Sequence, residues 1–165
     1  MDFSELSKYC LNKHIPYIGE EKGEILFNLV KKGDYKDILE LGTASGYSGC
    51  ILGSNNAHLT TVDSDHVSIK DAKENFKKYK INAEVYLAEA TEFIKTLNQK
   101  FDLIFLDFSK KDYVKVIEDC LRLLNENGII IADNIDSPDC KNFLEKINNY
   151  EIKYLRKDLI LIKVN

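Results

Sequence analysis

Residues 36–50 have the sequence KDILELGTASGYSGC and decide the fold of this chain. A short, mostly apolar run leads into a loop that contains Gly42, Gly46 and Gly49, and a second apolar run follows. This order predicts a strand, a tight turn and a helix, which together form the first unit of a nucleotide-binding α/β domain. Glycine at such a turn permits positive φ and lets a ligand approach the backbone closely.

The carboxylate of Glu40 lies at the predicted strand end, where a dinucleotide-binding fold would place a pyrophosphate. Two anions side by side repel each other unless a metal lies between them. The position therefore favours a cationic ligand. S-adenosylmethionine carries an amino group and a sulfonium beside its ribose and adenine, and it fits this site better than NAD. Ala44 stands where the GxGxxG pattern needs its second glycine, which also disfavours NAD.

The composition indicates one globular domain. Of the 165 residues, 44% are hydrophobic and 30% are charged, so we expect residues 1–165 to form a single domain with its own core. No apolar run approaches the ~18 residues of a membrane span, and no N-terminal secretion signal is visible. We therefore expect a cytoplasmic protein with no membrane partner. The net charge of −4 argues against broad nucleic-acid binding.

Strands and helices alternate along most of the chain. Helices are expected over residues 1–15, 20–32, 67–78, 91–98, 113–124 and 141–148. Parallel strands are expected over residues 37–41, 59–63, 83–87, 102–106 and 128–132. Two further β-like runs, 151–155 and 159–164, predict a closing hairpin that adds an antiparallel strand. The pattern predicts a doubly wound, three-layer α/β domain with a mostly parallel seven-stranded sheet.

Acidic or amide side chains follow four of the five predicted parallel strands. Ligands bind at this edge in open α/β sheets. The side chains are those of Glu40, Asp63, Asp107, Asp133 and Asn134. Asp63 lies 21 residues past Gly42, which is close to the spacing at which a carboxylate binds ribose hydroxyls. The alternative is that Asp63 is a helix cap or an exposed loop residue.

Three of these side chains also form a candidate metal site. Asp107, Asp133 and Asn134 offer oxygen ligands, which select Mg²⁺, Ca²⁺ or Mn²⁺ over zinc. The alternative is that they are ordinary turn residues. Lys110 follows Asp107 by three residues and is a candidate base. Lys111 lies beside it, so the pattern alone does not choose between the two lysines, and a solvated lysine is the simpler interpretation of either.

Five segments of the chain resemble the catechol O-methyltransferase-like family, which includes caffeoyl-CoA-type and bacterial small-molecule O-methyltransferases. They are residues 17–23, 39–48, 61–63, 105–113 and 131–134. The glycine turn is a general methyltransferase signal, whereas an Asp-x-x-Lys segment followed by Ala-Asp-Asn is much more specific. The resemblance runs from about residue 15 to residue 139 and implies a Rossmann-like class I methyltransferase fold.

The resemblance implies a cofactor site for S-adenosylmethionine. The residues expected around its methionine part are Ile18, Glu40, Gly42, Ala44 and Ser48. Asp63 would bind the ribose hydroxyls. Ala90 would border the adenine and Phe108 would stack on it, although relatives often carry a small or polar residue at position 108. Asp107 would lie beside both the cofactor and the metal.

The resemblance also implies how the acceptor would react. Asp107, Asp133 and Asn134 would hold a divalent metal, typically Mg²⁺, that chelates two adjacent oxygens of the acceptor. Lys110, rather than Lys111, would be the general base that removes the proton from the reacting hydroxyl. The oxyanion would then attack the methyl carbon in line with the departing sulfur.

Three functions remain open at this point. The leading prediction is a metal-dependent O-methyltransferase that acts on a hydroxyl of a catechol-like small molecule. The second is O-methylation of a hydroxyuridine in tRNA, which the lysine-rich surface permits and the net charge disfavours. The third is a non-catalytic S-adenosylmethionine-binding protein. Many relatives are dimers, so the resemblance also predicts a homodimer.

Overall fold

The computed structural model describes residues 2–164, so Met1 of the predicted first helix and Asn165 lie outside the description. The strands are β1 (Asp37–Leu41), β2 (His58–Asp63), β3 (Ala83–Leu87), β4 (Phe101–Leu106), β5 (Leu124–Asp133), β6 (Glu151–Arg156) and β7 (Leu159–Lys163). All seven belong to one sheet, in the order β3-β2-β1-β4-β5-β7-β6.

The helices alternate with the strands. They are α1 (Ser4–Lys13), α2 (Gly19–Lys32), α3 (Tyr47–Leu52), α4 (His66–Tyr79), α5 (Ala90–Thr96), α6 (Tyr113–Leu123) and α7 (Lys141–Lys146). Across residues 2–164, none of the helices combines the length and the apolar character that crossing a membrane would require.

The pairing of the strands confirms the predicted topology. β1 pairs in parallel with β2 and β4, β2 with β3, and β4 with β5. β7 is antiparallel to both β5 and β6. The chain builds one half of the sheet outward from β1 and then returns to build the other half from β4. The strand order therefore reverses between β1 and β4, and ligands bind beyond such a switch point.

The central strands are buried on both faces, which explains their unbroken apolar sequences. Successive side chains of β4 alternate between two hydrophobic clusters: Leu103 and Phe105 belong to the cluster under α1 to α4, and Ile104 and Leu106 belong to the cluster under α5 to α7. All four are fully buried. The layers of helix on both faces give the predicted three-layer arrangement.

Most boundaries lie within three residues of their predictions, and the start of β5 differs most. β5 begins at Leu124, four residues before the predicted start at residue 128, and its pairing with β4 shifts register between Phe101 and Leu103. The polar residues 125–128 form this irregular part of the strand, and Asn125 donates a hydrogen bond to Asp102 Oδ1 at 2.7 Å. A polar Asn-Glu-Asn-Gly sequence is typical of a turn, so the sequence pattern predicted a turn where the strand begins.

Candidate active site

The loop between β1 and α3 has positive φ at Gly42 (104°), Ala44 (43°) and Gly46 (83°). The Asp107 N–H donates a hydrogen bond to the carbonyl oxygen of Leu41 at 2.9 Å, so the chain after β4 runs directly beside this loop. A Cβ atom on Gly42 would overlap the carbonyl oxygen of Asp107. Glycine is therefore required at position 42 both for the backbone angle and for the close approach of the two loops.

Glu40 is the fourth residue of β1, just before this loop, and its side chain has no exposure to solvent. The hydroxyl of Ser48 donates to its Oε1 and that of Thr61 to its Oε2, each at 2.6 Å. Burial raises the pKa of Glu40 to about 8, because the two hydrogen bonds only partly offset the loss of solvent. Both oxygens of the carboxyl group thus have partners within the protein. Glu40 links β1 to α3 through Ser48 and to β2 through Thr61, and its contact with the methionine part of a cofactor stays a prediction.

The carboxylate of Asp63, at the end of β2, binds the backbone of the same loop. Its Oδ2 accepts the N–H of Ala44 and its Oδ1 accepts the N–H of Asp65, each at 2.9 Å. Asp65, not Asp63, caps α4, since its side chain accepts the N–H of Ser68 at 2.8 Å. The helix-cap alternative for Asp63 is therefore wrong, and its partly exposed carboxylate remains available to a ligand.

Two adjacent cavities lie at the carboxyl edge of the sheet. The first, of about 210 Å³, is lined by the predicted site residues Gly42, Asp63, Ala90, Asp107 and Phe108. The second, of about 290 Å³, is lined by Ile18, Ala44, Asp107, Phe108, Lys110, Asp133 and Asn134. Asp107 and Phe108 line both cavities. Every predicted site residue except Glu40 and Ser48 thus lines one of the two cavities.

Of the neighbouring pair Lys110 and Lys111, Lys110 is the one that lines the second cavity. Its Nζ lies 2.7 Å from Asp107 Oδ1, and its side chain is about one-fifth exposed. Lys111 is exposed and does not line either cavity. Of the two, Lys110 is therefore the lysine placed beside Asp107, and its role as the base stays a prediction.

Tyr113 is a member of this site for which the sequence offered no role. It is fully buried, its hydroxyl lies 2.7 Å from the carbonyl oxygen of Leu106, and Lys110 Nζ donates to it at 3.1 Å. Burial, and then the nearby carboxylates, raise the pKa of Tyr113 well above its usual value, so the hydroxyl keeps its proton. The only signal was its place at the end of segment 105–113. Tyr113 and Asp107 together fix the position of Lys110.

Lys22, in the first turn of α2, is a second residue that the sequence did not reveal. Its Nζ lies 2.5 Å from Asp133 Oδ1 and 2.8 Å from Asp158 Oδ2, and all three side chains are at most one-tenth exposed. Burial opposes the charge on Lys22, but the two carboxylates outweigh this effect and raise its pKa. Burial raises the pKa of Asp133 more than the bond to Lys22 lowers it. The only signal for Lys22 was its place in segment 17–23, which does not show that it meets Asp133 and Asp158.

The three predicted metal ligands line the second cavity together. Asn134 has a positive φ of 54°, and its N–H donates to Asp133 Oδ1 at 2.8 Å. In the part of the chain that the structure describes, no group of three His, Cys, Asp or Glu side chains is placed to hold a metal. Only two of the predicted ligands are carboxylates, the third is an amide, and each carboxylate is bonded to a lysine.

Comparison with known proteins identifies relatives of this chain. A family model described as O-methyltransferase matches residues 3–156. The catechol O-methyltransferase of Bos taurus is 28% identical over an alignment of 156 positions, gaps included, which covers 86% of this chain and 57% of that protein. Catechol O-methyltransferase B of Danio rerio is 30% identical over an alignment of 173 positions, gaps included, which covers 94% of this chain and 65% of that protein. The chain thus spans about three fifths of the length of these curated relatives.

Solved structures share the fold. The Podospora anserina methyltransferase PaMTH1, bound to SAH, superposes with a TM-score of 0.88 at 21% identity and covers 99% of this chain and 87% of its own. The O-methyltransferase TomG of Streptomyces achromogenes, in complex with SAM, has a TM-score of 0.84 at 19% identity, with 99% and 89% coverage. The expected Rossmann-like methyltransferase fold is confirmed.

Proposed function

Because this chain belongs to the O-methyltransferase family, we propose that it transfers a methyl group from S-adenosylmethionine to a hydroxyl of a small, catechol-like molecule. One observation carries the proposal: the cavity lined by Lys110, Asp133 and Asn134 shares Asp107 and Phe108 with the cavity lined by Asp63 and Ala90. A cofactor site and an acceptor site that meet at two residues are what methyl transfer requires. The catechol O-methyltransferases among the relatives support the acceptor class.

The first cavity suits the nucleoside of the cofactor. Asp63 keeps a partly exposed carboxylate there while its oxygens bind the backbone of the glycine loop. This carboxylate can accept hydrogen bonds from ribose hydroxyls, since each carboxylate oxygen has two lone pairs. Ala90 and the ring of Phe108 supply apolar surface for the adenine. The positive charge of the sulfonium would lie toward Asp107, which lines both cavities.

The donor set of the second cavity fits a hard divalent cation. Asp107 and Asp133 supply carboxylate oxygens and Asn134 supplies an amide oxygen, the ligand types that Mg²⁺ uses in proteins. Asp107, Asp133 and Asn134 would hold such a cation, which would supply positive charge beside the acceptor and lower the pKa of the reacting hydroxyl. We include the cation, most simply Mg²⁺, in the proposed function.

Lys110, in its neutral amine form, is placed to take the proton of that hydroxyl at its Nζ atom and become an ammonium group. Asp107 and Tyr113 hold this atom in the cavity wall at 2.7 and 3.1 Å, so little freedom remains to be lost when the acceptor binds. The acceptor oxygen then forms a bond to the methyl carbon as the carbon–sulfur bond breaks. Pro16, Tyr17 and Ile18 line the same cavity and would exclude water from the reacting atoms.

The test is transfer of a labelled methyl group from S-adenosylmethionine to catechol, with Mg²⁺ and again with EDTA. We expect transfer that EDTA abolishes. Lys110→Met should remove the activity, whereas the matched variant Lys111→Met should retain it. A folded protein that binds S-adenosylhomocysteine but methylates no catechol would refute the acceptor class, and tRNA containing hydroxyuridine would be the next acceptor. Failure to bind S-adenosylhomocysteine would refute the proposal as a whole.

A further inference from the structure

Each carboxylate of the proposed metal site has one oxygen that is already bonded to the Nζ atom of a lysine. Lys110 Nζ lies 2.7 Å from Oδ1 of Asp107, and Lys22 Nζ lies 2.5 Å from Oδ1 of Asp133. The Asn134 N–H donates to the same Asp133 oxygen at 2.8 Å. The Oδ1 atoms of both aspartates are therefore committed to partners within the protein.

The other oxygen of each aspartate is open. Neither Oδ2 has a hydrogen-bond partner among residues 2–164. Among residues 2–164, Asp112 Oδ1 is the one fully buried side-chain oxygen or nitrogen without a hydrogen bond, and it lies 2.6 Å from Lys115 Nζ. The two Oδ2 atoms also have no hydrogen bond, so neither of them is fully buried. Both aspartates line the second cavity. The site offers single oxygens from Asp107 and Asp133.

Lys22 cannot easily leave Asp133, because Asp158 holds it from the other side at 2.8 Å. Asp158 lies in the turn between β6 and β7 and is itself bonded to Arg156 at 2.8 Å. The other end of the Arg156 guanidinium lies 2.9 Å from Glu21, the neighbour of Lys22 on α2. Two parallel ion pairs therefore fasten the first turn of α2 to the hairpin and keep the Lys22 ammonium in place.

We propose that Lys22 is a positioning residue that leaves Asp133 with one free oxygen and thereby makes the site prefer Mg²⁺ to Ca²⁺. Ca²⁺ takes about six to eight oxygen ligands and often uses both oxygens of a carboxylate, whereas Mg²⁺ needs near-octahedral geometry and keeps several waters. Three single protein oxygens, from Asp107, Asp133 and Asn134, suit the smaller ion. The inference rests on the metal of the proposed function.

The main variant is Lys22→Met combined with Asp158→Asn. It removes one positive and one negative charge, so the net charge of the cluster is unchanged, while Asp133 loses its restraint and Arg156 loses its bond to Asp158. The matched control is Lys95→Met with Glu92→Gln, which removes an exposed ion pair of 2.8 Å on α5. Binding of Mn²⁺ is measured by electron paramagnetic resonance with S-adenosylhomocysteine present, and Mg²⁺ and Ca²⁺ are titrated as competitors.

We expect the unmodified protein and the control to prefer Mg²⁺, and the double variant to shift the ratio of the two affinities toward Ca²⁺ by roughly tenfold or more. If the double variant does not fold, Asp158→Asn alone should give a smaller shift in the same direction. A folded variant with an unchanged ratio overturns the inference and leaves the proposed function intact. Absence of Mn²⁺ binding to the unmodified protein overturns the metal requirement, and the inference with it.

Discussion

The Nζ atom of Lys110 lies 3.1 Å from the hydroxyl oxygen of Tyr113, a side chain with no exposure to solvent. The tyrosine hydroxyl is fixed in turn by the carbonyl oxygen of Leu106 at the end of β4. The proposed base is therefore tied to the rigid centre of the sheet, although it lies in a short turn that follows the strand. A substitution at Tyr113 can therefore displace the Nζ atom of Lys110 while Lys110 itself is unchanged.

Tyr113→Phe tests this link. The variant leaves the Leu106 carbonyl without its partner, so we expect a loss of about 1–3 kcal/mol in the free energy of unfolding. Lys110 loses one of its two anchors, and we expect kcat to fall by roughly tenfold with little change in KM. The control is Tyr86→Phe, whose hydroxyl is exposed and bonds only to Glu84. A Tyr113→Phe enzyme with unchanged kcat would remove Tyr113 from the site.

Gly42→Ala should abolish cofactor binding. Its Cβ would overlap the Asp107 carbonyl and push apart the two loops that line the first cavity. Gly19→Ala is the control, because Gly19 also has positive φ (80°) but has nothing within 4 Å of the added atom. Both variants should lose about 1–2 kcal/mol of stability from backbone strain. Calorimetric titration with S-adenosylhomocysteine should separate them, and equal affinities would contradict the predicted collision.

Asp107→Asn should separate binding from turnover. The amide removes the charge that holds Lys110 and one proposed metal oxygen, so we expect turnover to fall by roughly a hundredfold or more. Affinity for S-adenosylhomocysteine should change little, because Asp63 and the glycine loop remain. Asp136→Asn, at an exposed position near the same site, is the control. Parallel loss of binding and turnover would show that Asp107 mainly supports the cofactor.

Glu40 should make stability depend on pH in an unusual direction. Burial raises its pKa from 4.5 to about 8 in the folded protein, so between these values the folded state holds a proton that the unfolded state has released. Stability from this group is therefore complete below pH 4.5 and falls as the pH rises to about 8, by at most ~1.4 kcal/mol per pH unit.

Glu40→Gln should remove that slope. The Gln side chain can accept from one of the two bonded hydroxyls and donate to the other, since the hydroxyls of Ser48 and Thr61 can rotate. Urea unfolding across this pH range should show the variant gaining stability relative to the unmodified protein as the pH rises. The exposed substitution Glu92→Gln controls for the change in net charge. Identical slopes in the two proteins would mean that Glu40 is ionised in the folded state.

Much of this architecture was predictable because the signals were local. Residues adjacent in the sequence predict the apolar strand β4 and the glycine turn after β1. Once the strands are assigned, the acidic residues at their ends are identified directly. The first residue of β5 was not predictable, since residues 125–128 have the sequence of a turn and join the strand only through a shift in pairing. Local sequence does not encode such a shift.

The two missed site residues depended on contacts across the chain. Lys22 meets Asp133 and Asp158 only in the folded protein, and a lysine in the first turn of an amphipathic helix ordinarily predicts a solvated side chain. Tyr113 lies in a recognised segment, but its role comes from burial beneath that segment. The sequence patterns thus located the site residues at the strand ends. Tertiary contacts determine which other side chains position those residues.

The ion pairs that join α2 to the turn between β6 and β7 have a consequence for folding order. Lys22 and Asp158 are among the most widely separated partners in the sequence, and closing so long a loop is slow compared with forming helices and neighbouring strands. A growing chain can build β1 to β4 and bury much of its core before the hairpin exists. The bonds that position Asp133 in the proposed metal site would then form last, when the whole sheet is complete.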